Sequence, residues 1–228
     1  MPGYVIEPPR RPVLAVAGEE RLFPVRRVYC IGRNYAGHAL EMGHDPDREP
    51  PFFFQKNPDN LNTSGQFPYP DKSSDVHFEA EMAVALGGGG RNISVPDALS
   101  LVYGYAPALD MTRRDLQAAA KKMGRPWEVG KAFEGSAPIG PIQPVSNVGH
   151  IMAGRIRLDV NGETRQEGDL NQMIWKVPEI IAYLSEYFEL AAGDIILTGT
   201  PAGVGPTVRG DALRLKIEGL SVLEVDVV

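Results

Sequence analysis

The sequence predicts an α+β fold with a β-rich core. Three observations carry that expectation. Stretches with strand patterning outnumber stretches with helical spacing, and the readable helices are short. The 228 residues also include 25 glycines and 20 prolines, where average usage gives about 27 of the two together. No collagen-like period accompanies the excess, so it marks many tight turns. Hydrophobic residues at 43% and charged residues at 23% supply enough apolar material for one core.

Taken in order, residues 1–24 read as an extended, Pro-rich N-terminal arm with one short strand. Arg10 and Arg11 precede the apolar run 13–17, but Glu19 and Glu20 end it too soon for a signal peptide. The rest, 25–228, reads as a single domain. A strand over 25–32 leads into a helix over 34–42, with Asn34 as N-cap and Gly43 as its stop. Residues 76–86 alternate as a strand does. A strand over 102–109 leads into a second helix, opened by the capping-box-like pair Thr112 and Asp115 and stopped by Gly124. Asn161-Gly162, between strands at 156–160 and 164–167, is a two-residue hairpin signal. The third helix starts near Pro178, which suits a first turn, and Ile180, Ile181, Leu184 and Phe188 share one face. Strands at 194–198, 213–217 and 222–227 complete the chain.

Composition excludes several function classes. With 23 basic and 29 acidic residues the net charge is −6, against the basic surface expected of a nucleic-acid binder. An anionic substrate remains compatible, because a bound metal or a few Arg and Lys reverse the local field. The single cysteine, Cys30, rules out an intramolecular disulfide and a multi-thiolate zinc site. No apolar run approaches the roughly 18 residues of a membrane span. The expectation is a cytoplasmic protein without a membrane or nucleic-acid partner.

Six stretches have the residue types that chemistry needs. In 76–84, Glu79 and Glu81 fall on one face of a strand, about 7 Å apart. Two such carboxylates repel unless a cation lies between them, and a hard divalent ion prefers oxygen ligands. The alternative is a solvated acidic face. Asp110 follows an apolar strand and precedes a helix, where it serves either as a third carboxylate ligand or as favourable decoration of a helix start. His38 and Glu41 stand at i and i+3, neighbours on a helix, so Glu41 can orient the imidazole for proton transfer. Residues 35–51 would form a lid. Arg114 and Gln117 share a helix face, and Arg receives carboxylates with a planar fork. Lys131 offers a second cation. The Gly-rich stretch 197–205 follows a buried strand and brings amides and the Thr200 hydroxyl to an anion. It lacks the GK[ST] ending of a P-loop, and the chain has no G-x-S-x-G elbow.

Together these motifs resemble the fumarylacetoacetate hydrolase family. The resemblance rests on Gly32-Arg33-Asn34-Tyr35 with His38 and Glu41, on Glu79-x-Glu81, and on Leu109-Asp110-Met111-Thr112-x-Arg114-Asp115-x-Gln117. It continues through Lys131-x-Phe133, Asn161-Gly162 and Thr198-Gly199-Thr200-Pro201-x-Gly203-Val204-Gly205, in family order over roughly 25–226. One departure is local: relatives carry Lys-Pro where this chain has Lys56-Asn57-Pro58.

The resemblance implies a mixed β-sandwich roll with a few short helices, of the family's C-terminal-domain type, and a homodimer. It implies one Mg²⁺ or Mn²⁺ per chain on Glu79, Glu81 and Asp110. It implies His38, Glu41 and Lys131 as catalytic residues, with Arg33, Tyr35, Arg114, Gln117 and Thr200 holding a small anionic keto acid. The implied reaction is hydrolysis of a C–C bond in a 3-acylpyruvate. The stretches 23–30, 42–54 and 124–128 point further to fumarylpyruvate as substrate, a step of gentisate breakdown. Two alternatives stay open: decarboxylation of oxaloacetate at the same site, and metal-dependent keto-acid binding without catalysis.

Overall fold

A long antiparallel ribbon that passes from one sheet into another organises the molecule. The computed structural model describes residues 3–37 and 50–228. Short β1 (Val13–Leu14) and β2 (Phe23–Pro24) are followed by β3 (Arg27–Gly32) and β4 (Phe52–Lys56). Next come β5 (Leu61–Asn62), β6 (Gln66–Phe67), β7 (Val76–Phe78), β8 (Ala80–Leu86), β9 (Val102–Leu109) and β10 (Thr112–Arg113). Then β11 (Ala137–Pro138) and β12 (Gln143–Pro144) precede the hairpin of β13 (Arg155–Val160) and β14 (Glu163–Asp169). The last four are β15 (Asp194–Leu197), β16 (Gly205–Thr207), β17 (Ala212–Ile217) and β18 (Leu223–Val227). Among the described residues, helices are few and short, the longest being Arg114–Lys122 and Val177–Tyr187. The expected α+β, β-rich class is therefore found.

The larger sheet has the order β12-β9-β8-β15-β3-β4, and a five-stranded sheet has β14-β13-β17-β18-β6. Both faces of the larger sheet are buried. Tyr29, Ile31, Met82, Val84 and Ile196 pack in the main core with Leu158, Leu215 and the helical residues Ile180, Ile181 and Leu184. Their strand neighbours Val28, Cys30, Ala83, Ala85 and Ile195 pack on the opposite face against Leu14, Val16, Phe23 and Val25. Strands covered on both sides read as continuous apolar runs rather than strict alternation. Ala83, on the same strand face as Glu79 and Glu81, is thus buried under the N-terminal segment, not solvated.

The expected strand 76–86 is two strands. β7 belongs to a three-stranded sheet, β10-β7-β16, and β8 to the six-stranded one. Glu79 occupies the break between them. Its partner strand breaks at the same level: β9 pairs with β8 through Ala80↔Leu109, and β10 pairs with β7 through Thr112↔His77. The register is preserved across the break, and the Asp110 amide donates to the Glu79 carbonyl at 2.9 Å. Glu79 and Asp110 therefore face each other where the ribbon bends between sheets.

Two expected caps are put to other use. Asn34 Nδ2 donates to the Trp175 and Thr198 carbonyls at 2.9 and 2.8 Å, and its Oδ1 accepts from the Trp175 amide. The side chain spans the fold instead of capping the turn after it. Thr112 lies in β10, and Asp115 accepts from Ser73 Oγ and the Ser74 amide. No capping box forms because both side chains have tertiary partners. The remainder of the expected helix 34–42 beyond Gly37 lies outside the described residues. The hairpin signal is fulfilled: Asn161 and Gly162 have φ of 52° and 84°, the left-handed pair that a tight two-residue turn needs. Among the described residues, no helix is long and apolar enough to cross a membrane.

Candidate active site

Three carboxylates converge at the bend. Glu79, Glu81 and Asp110 are 6%, 2% and 1% exposed, and each offers an oxygen within 4.8 Å of the others. Burial of three like charges is costly unless cations compensate. Lys131, carried on the single turn Glu128–Lys131, donates to Glu79 Oε2 at 2.9 Å, Asp110 Oδ2 at 2.8 Å and Thr112 Oγ1 at 2.7 Å. Those three contacts engage all the donors an ammonium has. Burial lowers the Lys131 pKa, but Asp110 and Glu79 outweigh it, and the net shift is upward. Arg114 Nη2 meets Glu79 Oε1 at 2.6 Å, and Lys56 Nζ lies 2.9 Å from Asp110 Oδ1.

Glu81 is different. It accepts the Gly199 amide at 2.7 Å, and no Lys or Arg among the described residues pairs with it. Burial, together with Asp110 and Glu79 nearby, pushes its carboxyl well above the usual carboxylate range, although the Gly199 amide acts the other way. Asp110 Oδ1 receives no hydrogen bond despite the nearby Lys56. A divalent cation among the three residues would relieve both conditions, and the all-oxygen donor set suits Mg²⁺ or Mn²⁺. The triad fits such an ion.

The triad lines a cavity that is partly open to solvent. Arg33, Arg114, Gln117, Lys131 and Thr200 line it with the three carboxylates. Arg114 Nη1 donates to Gln117 Oε1 at 2.7 Å, so the expected i, i+3 pair is formed. Thr200 Oγ1 accepts from Gln166 Nε2 at 2.8 Å. Tyr35 is buried with a hydroxyl that has no hydrogen-bond partner, and it is absent from the cavity lining. Burial first, and then the charge of Glu81, raises its pKa. The positions of His38 and Glu41, and most of the expected lid 35–51, lie outside the described residues.

Several residues that shape the site were given no role from sequence. Lys56 is 2% exposed and donates to Ser136 Oγ at 3.0 Å and to the Lys131 carbonyl. It links the Lys131 turn to Asp110. Gln166, fully buried, accepts the Ala80 amide and donates to Thr200 and the Pro201 carbonyl, tying the carboxylate strand to the Gly-rich loop. Phe52 and Trp127 form an edge-on pair at 4.9 Å on the cavity wall. Lys121 lines the same wall. Its signal was available: it follows Arg114 by seven residues and Gln117 by four, on one helix face.

The family model described as fumarylacetoacetate (FAA) hydrolase C-terminal matches residues 27–228. The chain belongs to the fumarylacetoacetate hydrolase family. Among family members, the chain is 43% identical over 189 residues to fumarylpyruvate hydrolase of a Ralstonia species, covering 82% of this chain and 98% of that protein. It is 41% identical over 201 residues to the mitochondrial oxaloacetate tautomerase FAHD1 of Arabidopsis thaliana, covering 88% and 90%. The crystal structure of Pseudomonas aeruginosa fumarylpyruvate hydrolase, in complex with Mn²⁺ and pyruvate, superposes with a TM-score of 0.97 at 50% identity over 99% of both chains. The arm 1–24 precedes the family match, yet its Leu14, Val16 and Phe23 cover one face of the six-stranded sheet.

Proposed function

We propose that the chain is a metal-dependent acylpyruvate hydrolase that cleaves fumarylpyruvate to fumarate and pyruvate. The observation that carries this reading is the buried triad Glu79, Glu81 and Asp110 in a cavity that Arg114, Gln117, Lys131 and Thr200 also line. The 50% identity, over the whole chain, to a fumarylpyruvate hydrolase solved with Mn²⁺ and pyruvate supports the choice of substrate. Bound on the triad, Mg²⁺ or Mn²⁺ supplies Lewis-acid stabilisation of the oxyanion that develops on the pyruvyl fragment.

The chain's own groups do the rest. Arg114, positioned by Gln117, receives the keto-acid carboxylate with its planar fork, and Thr200 and Arg33 line the same cavity. Lys131 keeps Glu79 and Asp110 fixed and adds positive charge where negative charge develops. Tyr35, outside the cavity lining, is close enough for the Glu81 charge to raise its pKa. His38, oriented by Glu41, takes a proton from water. The water oxygen bonds to C4, the C3–C4 bond breaks, and its electron pair passes to the pyruvate enolate. Protonation at C3 completes the balance, one water consumed for one fumarate and one pyruvate.

The test follows the acylpyruvate ultraviolet band with fumarylpyruvate, with Mg²⁺ or Mn²⁺ and with chelator, beside pyruvate release from oxaloacetate. Metal-dependent loss of the band is expected, and His38→Ala is expected to slow it by 10²-fold or more, in the usual range for a positioned base. An effect within about threefold, below that range, would remove His38 from this role. Relatives at 41% identity include an oxaloacetate tautomerase. Enol–keto interconversion or decarboxylation of oxaloacetate, with fumarylpyruvate untouched, would keep the site and replace the reaction.

A further inference from the structure

Among the described residues, one lysine lining the cavity is not taken up by its carboxylates. Arg114, Lys131 and Lys56 are ion-paired to Glu79 and Asp110. Lys121 is not: among the described residues it has no carboxylate partner. Its ammonium stands 4.9 Å from the centre of the Trp127 ring. Arg33 stands 5.7 Å from the centre of Phe52, and Phe52 and Trp127 touch edge-on at 4.9 Å. All four line the cavity. Two cations therefore flank an aromatic wall.

Position along the helix gives this arrangement a length. Arg114, Gln117 and Lys121 recur at helical spacing within Arg114–Lys122, so they share one face. Lys121 lies about 10 Å further along the axis than Arg114. A ligand gripped by Arg114 at the triad and extended along this face brings its far end to Lys121. Burial, and then the charges of Arg114 and Arg33, lower the Lys121 pKa. A cation in that setting gains from an incoming anion.

We propose that Lys121, with Arg33 across the aromatic wall, forms a subsite for a second carboxylate at the distal end of the substrate. The wall of Phe52 and Trp127 accepts the flat apolar segment between the two carboxylates. Selectivity for dicarboxylic over monocarboxylic acylpyruvates then resides on one helix face, with Arg114 and Lys121 at its two ends. This deepens the reaction proposed above and rests on its placement of the keto-acid end. A charged pair discriminates strongly because an analogue lacking the anion leaves the cation unpaired.

The experiment uses the Mn²⁺-loaded full chain and two readouts. Calorimetry compares 2-oxopimelate with 2-oxoheptanoate, uncleaved keto acids that differ only by the distal carboxylate. The parent is expected to bind the dicarboxylate at least tenfold more tightly. Lys121→Met, which keeps the stem over Trp127, is expected to reduce that preference to threefold or less, and Lys121→Arg to retain it. The second readout is the ratio of kcat/KM for fumarylpyruvate over acetylpyruvate, which Lys121→Met is expected to lower at least tenfold. No preference in the parent, an unchanged preference in Lys121→Met, or equal loss in the Met and Arg variants would each overturn the subsite. If no acylpyruvate is cleaved, the hydrolase reading fails while the binding preference still decides on Lys121.

Discussion

At the scale of single residues, the site depends on which groups hold the carboxylates while a metal is bound or absent. Glu79 and Asp110 share Lys131, and Glu81 relies on one backbone amide, that of Gly199. Gly199 has a φ of +95°, and a Cβ there would meet Asn34 Cβ at 2.8 Å and the Ile31 carbonyl oxygen at 3.1 Å. Only glycine takes this conformation without strain. Gly199→Ala should push the loop outward and move the amide off Glu81. Supporting contacts of this kind are worth roughly 10-fold or more in metal affinity, so a Mn²⁺ titration of Gly199→Ala should show weakening of that order. Unaltered affinity would mean that the amide does not position Glu81. The pair Glu79-x-Glu81 and the position of Asp110 were legible because acids in apolar surroundings stand out. Lys56 was not, because a lysine ending an aromatic strand looks like an ordinary edge residue. Only the pairing β3–β4 and the Lys131 turn give it a buried partner.

At the scale of elements, the hairpins and the third helix were legible and the caps were not. Asn161-Gly162 and the spacing of Ile180, Ile181 and Leu184 are local signals, satisfied by local geometry. Asn34, Thr112 and Asp115 had equally local readings, but tertiary partners claimed each side chain. The break at Glu79 left no mark in the sequence, since alternation continues through it and only the bend of the ribbon distinguishes the two strands. One turn shows the same coupling of local and distant contacts. Asp211 accepts from the Val208 amide at 2.8 Å, Thr207 Oγ1 at 3.0 Å and Asn161 Nδ2 at 2.8 Å, joining the β16–β17 turn to the β13–β14 turn. Burial works against its charge, but these bonds prevail and hold its carboxyl below the usual range. The folded state therefore binds this proton less readily than the unfolded chain. Its contribution is complete above the ordinary carboxylate range and is lost as pH falls through the folded value. Asp211→Ala should cost about 1–2 kcal/mol at pH 7 and clearly less at pH 3, read from urea midpoints. An equal cost at both values would show that the charge plays no part.

At the scale of the whole molecule, the site draws on residues from Arg33 to Thr200, and no single hairpin contains it. The larger sheet closes through β15, which pairs parallel with β3 and antiparallel with β8. A ligand set assembled from such distant segments does not exist in the unfolded chain, so metal should bind the native state far better than any other. Because long-range pairings of this kind reward the chain late, Mn²⁺ should slow unfolding and leave the refolding rate almost unchanged. Stopped-flow measurements in urea, with Mn²⁺ and with chelator, would check this. Acceleration of refolding by Mn²⁺ would place the triad in the folding nucleus instead.

The place of β15 also bears on how the chain is made. It is the fourth of six strands in space, between β8 and β3, but its residues 194–197 are synthesised long after those of β3, β8 and β9. Until they leave the ribosome, β3 with β4 and β8 with β9 can form only as separate pairs, each with an apolar edge unfilled. Open edges of that kind invite pairing with other chains. During synthesis, the protection of this protein therefore rests on whatever shields those edges until β15 emerges.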